Sequence, residues 1–134
     1  MTKINISPVI TRMLSHKDKR GSFTELLRPE NLTKKQFGQL SLTTIFPNQS
    51  KGDHYHKIRW EWFYLAKGKV TVKLVHVKTG QKKSILLSAR NQKMICIPPL
   101  WNHVLVNSQK EEAIACVYSS IPFRKSRPDV YRLE

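Results

Sequence analysis

The sequence predicts an all-β domain, a sandwich or barrel. Short runs rich in β-branched and aromatic residues recur along the chain, separated by turn signals, and helical periodicity is almost absent. A length of 134 residues, 40% of them apolar or aromatic, suits a single domain over 1–134 with a real core.

The elements follow in order. The apolar segment from Ile4 to Ile10 is interrupted by Pro8, which predicts an edge strand within residues 1–14, placed to pair with a second subunit. From His16 to Glu25 a turn permitted by Gly21 leads into a strand. The segment RPENLTKK (28–35) predicts a loop with one helical turn started by Asn31 or Thr33. Strands are then expected over 38–46, 54–57, 60–66, 70–77, 82–87, 93–97, 103–107 and 113–119. Turn residues at Pro47-Asn48, Lys67-Gly68-Lys69, Thr79-Gly80, 89–92 and 108–110 separate them.

The charge balance is basic, with 24 Lys and Arg against 9 Asp and Glu, giving +15. Such a field favours anionic partners, including a substrate that carries a diphosphate. The lysines are spread along the chain and no recognised nucleic-acid motif is present, so no specific nucleic acid is expected. No apolar run approaches a membrane span, and the first residues lack a signal-peptide pattern, so a cytoplasmic location is expected. Cys96 and Cys116 lie in apolar runs and read as buried thiols, not as a disulfide or a zinc pair.

The stretch GDHYHKIRWEWFYLAKG (52–68) carries the chemistry. By strand alternation His54 and His56 share one face and Tyr55 takes the other. Glu61, Phe63 and Leu65 likewise share a face opposite Trp62 and Tyr64. If the break at 57–59 lets strand 60–66 pair with strand 54–57, Glu61 approaches both imidazoles. Two neutral imidazoles and a carboxylate suit zinc, and also iron, manganese, nickel or copper. His103, after the turn at Pro98-Pro99, could supply a fourth ligand. His16 and His76 read as surface or internally satisfied histidines, and Trp60, Trp62 and Trp101 as residues that pack the sheets or line the mouth.

His54, His56, Glu61 and Gly68, followed by Pro98, His103 and Asn107, resemble the two motifs of the cupin family. That resemblance implies a double-stranded β-helix, or jelly-roll barrel. Leu100 stands where the family has Gly, and Asn48 and Gln92 stand where its opening glycines fall, so loop shape is the feature in question. A further block, Asp18 to Glu25 (DKRGSFTE), is similar to the opening strand of cupin enzymes that epimerise or isomerise nucleotide-linked 4-keto-sugars. By that match Arg20 holds the diphosphate and Glu25 contacts the base or sugar, often across a dimer. With the tail PDVYRLE (128–134), the order of motifs resembles the C-terminal cupin domain of bifunctional capsular polysaccharide enzymes.

That resemblance implies a zinc-binding epimerase of a UDP-linked 4-keto-6-deoxy-N-acetylhexosamine, working as a homodimer in surface polysaccharide biosynthesis. The sequence has no glycine-rich dinucleotide fingerprint, so the epimerase or isomerase half is expected here, with a separate reductase as partner. His54, His56, Glu61 and His103 would hold the metal. In a site without metal, His54 or His56 becomes the candidate base. Tyr64, Tyr118, Lys57 and His76 are further acid–base candidates, and Lys57 is also a candidate for substrate binding. Two other classes stay open: a metal-dependent cupin of other chemistry, such as a dioxygenase, and a non-catalytic sugar- or nucleotide-binding module.

Overall fold

In the segment Lys69–His76 every second side chain is buried, Val70, Val72, Leu74 and His76 facing inward. This period of two is the mark of a strand with one face on a core. The structure, a computed structural model, describes residues 6–32 and 36–134. Its strands are β1 (Val9–Arg12), β2 (Ser15–Asp18), β3 (Gly21–Thr24), β4 (Gln39–Ile45), β5 (Ser50–His54), β6 (Glu61–Lys67), β7 (Lys69–His76), β8 (Lys82–Ser88), β9 (Lys93–Ile97), β10 (Trp101–Val106) and β11 (Ala113–Ser119). No α-helix forms among the described residues, and no helix is long and apolar enough to cross a membrane.

A five-stranded sheet, ordered β1-β9-β6-β11-β4, packs against a four-stranded sheet, ordered β5-β10-β7-β8. From β4 onward the chain passes repeatedly between the two sheets, which winds them into a jelly-roll barrel. Every pairing is antiparallel. The barrel is filled by Ile45, Phe63, Leu65, Val72, Leu74, Ile95, Trp101 and Leu105, among others. Burying such side chains contributes about 1.5–3 kcal/mol each before entropy is counted. A second cluster lies on the outer face of the five-stranded sheet, where Trp62, Met94 and Tyr118 are covered by Leu27, Leu32 and Trp60. Cys96 and Cys116 are free, half-buried thiols on that same outer face, and burial pushes Cys96 up to about 12.

Three local expectations change. The strand expected over 54–57 lies earlier, at Ser50–His54, and it pairs with β10 and not with β6. β6 sits in the opposite sheet between β11 and β9. The edge strand is β1, downstream of Pro8, and residues 1–5 of the expected segment lie outside the described residues. The helical turn is a 3-10 turn at Pro29–Asn31, which Asn31 closes by accepting the Arg28 N–H at 2.9 Å. Proline starts it because its φ is preset and its missing N–H is not needed there. Thr33 lies outside the described residues.

The loop shapes left in question are kept without glycine. Asn48, Gln92 and Leu100 all adopt positive φ, at 62°, 53° and 72°. Asn tolerates this region; for Leu it is a strained conformation held by its surroundings.

Candidate functional site

A bulge aims the first histidine. His54 on β5 faces His103 on β10, but Val104 faces Gly52, so Asp53 is left over. Gly52 and Asp53 take φ of 101° and 60°, and a Cβ on Gly52 would lie 2.7 Å from the His103 carbonyl oxygen. Only glycine fits that approach. An extra residue of this kind turns the strand and re-aims the next side chain, here His54. Asn102 Nδ2 steadies the bulge by donating to Asp53 Oδ1 at 3.2 Å.

His56 lies just past β5, where its carbonyl accepts the Leu100 N–H at 2.8 Å. Its Nδ1 donates to the Asp129 carbonyl at 2.7 Å. His103 Nδ1 donates to the Trp101 carbonyl at 3.2 Å. Carbonyl oxygens only accept, so both Nδ1 atoms carry hydrogen. Glu61, the first residue of β6, comes from the opposite sheet and meets both rings. Its Oε1 lies 3.1 Å from His56 Nε2 and 3.2 Å from His103 Nε2. Its Oε2 accepts the Ser119 hydroxyl at 3.1 Å. Thus Glu61 reaches the imidazoles across the barrel, and not through a hairpin with β5.

With hydrogen on Nδ1, both imidazoles turn Nε2 toward one carboxylate oxygen, and an Nε2 without hydrogen presents a lone pair there. Acceptor facing acceptor is unfavourable unless a proton or a cation lies between them. His54 completes the cluster: ligand atoms of His54, His56 and His103 all lie within 4.8 Å of one another. Glu61 is in contact with two of the three rings. The donor set of neutral nitrogens with an adjacent carboxylate, and with Nδ1 hydrogens held by backbone carbonyls, fits a divalent transition metal.

Electrostatics agree with that fit. Burial, reinforced by the neighbouring His103 and His56, pushes the His54 imidazole down to about 4, against the opposing pull of Glu61. His54 is therefore neutral at physiological pH and able to donate a lone pair. Burial would raise the Glu61 carboxyl, but protons in the two gaps, donated by His103 and His56, outweigh it and hold it well below the usual carboxylate range, and a cation in their place acts in the same direction.

The cluster opens into a cavity of about 430 Å³ lined by His54, Glu61, His103, Phe63 and Ser119, with Lys51, Arg59, Phe123 and Arg132 at its wall and rim. Arg59 and Arg132 were not among the residues the sequence singled out. Arg59 carried a usable signal, since it precedes Glu61 by two positions and alternation puts such residues on one face. Arg132 carried none, because the tail's path is set by long-range contacts.

Other expected residues lie elsewhere. Tyr64 is on the outer face of β6, beside Trp62 and Met94, with the sheet between it and the imidazoles; alternation from inward-facing Glu61 puts it there. Tyr118 is also on that outer face, where its hydroxyl accepts the Gly38 N–H at 2.7 Å. His76 is satisfied internally, its Nδ1 accepting the N–H groups of Lys78 and Thr79. Lys57 is exposed, with Nζ 4.2 Å from the centre of the Tyr131 ring. Tyr55 faces away from the cluster and stacks on Tyr131. Arg20 forms an exposed pair with Asp18 at 2.7 Å in the β2–β3 hairpin, and Glu25 pairs with Arg28 at 3.2 Å. Neither lines the cavity that holds the imidazoles.

Comparison with known proteins gives the family. The sequence model of the polysaccharide biosynthesis C-terminal domain matches residues 16–131, so the chain belongs to that family. A UDP-2-acetamido-2,6-beta-L-arabino-hexul-4-ose reductase of Pseudomonas aeruginosa is 28% identical over 116 residues, covering 87% of this chain and 30% of that protein. The crystal structure of the capsular polysaccharide assembling protein CapF from Staphylococcus aureus superposes with a TM-score of 0.71 at 28% identity, covering 91% of this chain and 34% of CapF. The chain thus spans about a third of the length of both. A dTDP sugar isomerase from Desulfovibrio desulfuricans superposes at TM-score 0.84 and 18% identity, covering 95% of this chain and 83% of that one. These likenesses identify the barrel as the cupin-type double-stranded β-helix.

Proposed function

We propose that this member of the polysaccharide biosynthesis C-terminal domain family is a nucleotide-sugar epimerase or isomerase, acting next to the ketone of a nucleotide-linked 4-keto-6-deoxy sugar. The observation that carries the reading is the convergence of His54, His56, His103 and Glu61 in one cluster, with His54, His103 and Glu61 facing a basic-mouthed cavity. Support comes from the similarity to a hexul-4-ose reductase, to CapF and, in fold, to a dTDP sugar isomerase.

The chemistry follows from the residues. A C–H beside a ketone is acidic only when the developing oxyanion is stabilised. His54, His56, His103 and Glu61 would hold a divalent metal, zinc by preference, and such an ion supplies Lewis-acid polarisation of the ketone. In a site without metal, His54, which lines the cavity and is neutral at working pH, would take the proton. Ser119 orients Glu61, and the apolar wall at Phe63 limits water around the reacting carbon. Substrate enters past Lys51 and Arg132.

The same reading has the chain act as one domain and as a homodimer in the cytoplasm. Val9 and Ile10 on edge strand β1, and Leu40 and Leu42 on the outer sheet face, are exposed apolar residues that a second copy would cover. Arg20 and Glu25, on and beside the hairpin, would then approach a partner's substrate. A separate reductase would act on the 4-keto product. Incubation with UDP- and dTDP-linked 4-keto-6-deoxy sugars in deuterated water tests the reaction. Deuterium at the carbon beside the ketone is the expected result. No exchange, or oxygen consumption in its place, would rule this reading out in favour of a binding module or a dioxygenase.

A further inference from the structure

Arg59 is 5% exposed, and its Nε has no hydrogen-bond partner. Its guanidinium makes one bond among the described residues, from Nη2 to the Pro128 carbonyl at 3.3 Å. The nearby Asp129 carboxylate takes the Arg59 backbone N–H at 2.9 Å and not the guanidinium. Glu61, the one carboxylate lining the same cavity, is already engaged by His56, His103 and Ser119. Arg59 is therefore a buried cation with no carboxylate partner among the described residues. A buried charge in that state is unfavourable until an opposite charge joins it.

What could join it is set by the cavity. Arg59 shares it with Lys51 and Arg132, whose heads make only neutral contacts among the described residues: Lys51 Nζ to Thr43 Oγ1 at 3.0 Å and Arg132 Nη1 to the Asp53 carbonyl at 3.1 Å. Three cations lining one cavity make a subsite for a multiply charged anion. A planar guanidinium matches two phosphate oxygens at once, and lysine adds a point charge. We infer that Arg59, flanked by Lys51 and Arg132, is the subsite that takes the diphosphate of the substrate within the same chain. This deepens the reading of the cavity as a nucleotide-sugar site and rests on it. It differs from the sequence-based assignment of the diphosphate to Arg20, which is paired with Asp18 outside this cavity.

The test uses UDP, dTDP, inorganic pyrophosphate and uridine as probes, with calorimetry and thermal melting, on wild type, Arg59→Met and Arg59→Lys. Met keeps the apolar stem and removes the buried charge. Ligand-free Arg59→Met should melt at or above the wild-type temperature, because an unpaired buried cation has been removed. Its affinity for the nucleoside diphosphate should fall at least tenfold, its melting should no longer respond to pyrophosphate, and its weak response to uridine should not change. Arg59→Lys should fall between the two and bind with a steeper salt dependence. A ligand-free Arg59→Met that melts far below wild type makes Arg59 structural and overturns the inference. Undiminished anion binding by Arg59→Met overturns it too. If wild type exchanges deuterium into a keto-sugar and Arg59→Met leaves KM unchanged, the subsite falls while the reaction stands. Wild type that binds none of the three anions overturns both.

Discussion

His56 donates its Nδ1 hydrogen to the backbone carbonyl of Asp129 across 2.7 Å, joining the barrel floor to the C-terminal tail. The Asp129 carboxylate accepts the N–H groups of Lys57, Ile58 and Arg59 at 2.8, 3.2 and 2.9 Å. One residue thus closes the turn between His56 and Glu61 and fixes the tautomer of His56. It does so at a φ of 50°, a left-handed conformation that Asp tolerates. The tail is held on its other side by the Tyr55–Tyr131 bridge.

Asp129→Ala removes the acceptor for three backbone donors. We expect a loss of about 2 kcal/mol in urea unfolding. The backbone carbonyl that holds His56 is kept, but the tail that presents it loses its anchor to the turn, so zinc binding should weaken by roughly 10- to 100-fold in a chelator competition. A large stability loss with unchanged zinc affinity would show that the tail supports the turn only, and does not position His56.

Leu100 stands at φ 72° in a turn whose backbone accepts from Val77 and donates to His56. A bulky side chain in this region costs about 1–2 kcal/mol. Leu100→Gly relieves that strain while gaining chain entropy in the unfolded state, so a net stabilisation of about 0.5–1 kcal/mol is expected from denaturant midpoints. Destabilisation beyond about 1 kcal/mol would mean that the Leu100 side chain contributes more packing than its backbone costs.

His54 sets a pH dependence in metal-free protein. Its folded-state value is pushed down to about 4, below the 6.5 of an ordinary histidine. Between those values the unfolded chain binds more protons than the folded one, so stability falls as pH drops from about 6.5 towards 4. His54 is half-exposed, and solvent screening trims the effect to on the order of 1–2 kcal/mol. His54→Gln should flatten that limb of the stability curve. An identical limb in the variant would assign the protons to other groups.

Apart from β5, the strands from β4 onward were legible because their period of two is written locally, as in Lys69–His76. The metal-type residues were legible as types at a spacing. Their assembly was not. Sequence neighbours suggested that the strand of His54 pairs with the strand of Glu61, yet these strands lie in opposite sheets, and only the barrel brings the carboxylate across. The bulge at Gly52 and Asp53 depends on a carbonyl of residue 103, far along the chain. Asp129 and Arg132 owe their roles to where the tail folds back. Such contacts leave no periodic trace. The left-handed turns at Asn48, Gln92 and Leu100 show the converse, because tertiary context holds a conformation that local propensity argues against for Leu.

Two imidazoles aimed at one carboxylate oxygen, with a third beside them, make the proposed metal centre. The direct measurement is metal content by elemental mass spectrometry of protein purified without chelators or a metal-affinity column, beside a His54→Ala/His103→Ala double variant. About one transition-metal ion per chain, most of it zinc, is expected, with its loss in the folded double variant. A folded wild-type protein that carries no metal and takes up none from added zinc would contradict it, and would leave Glu61 sharing protons with His56 and His103 in their ordinary acid–base roles.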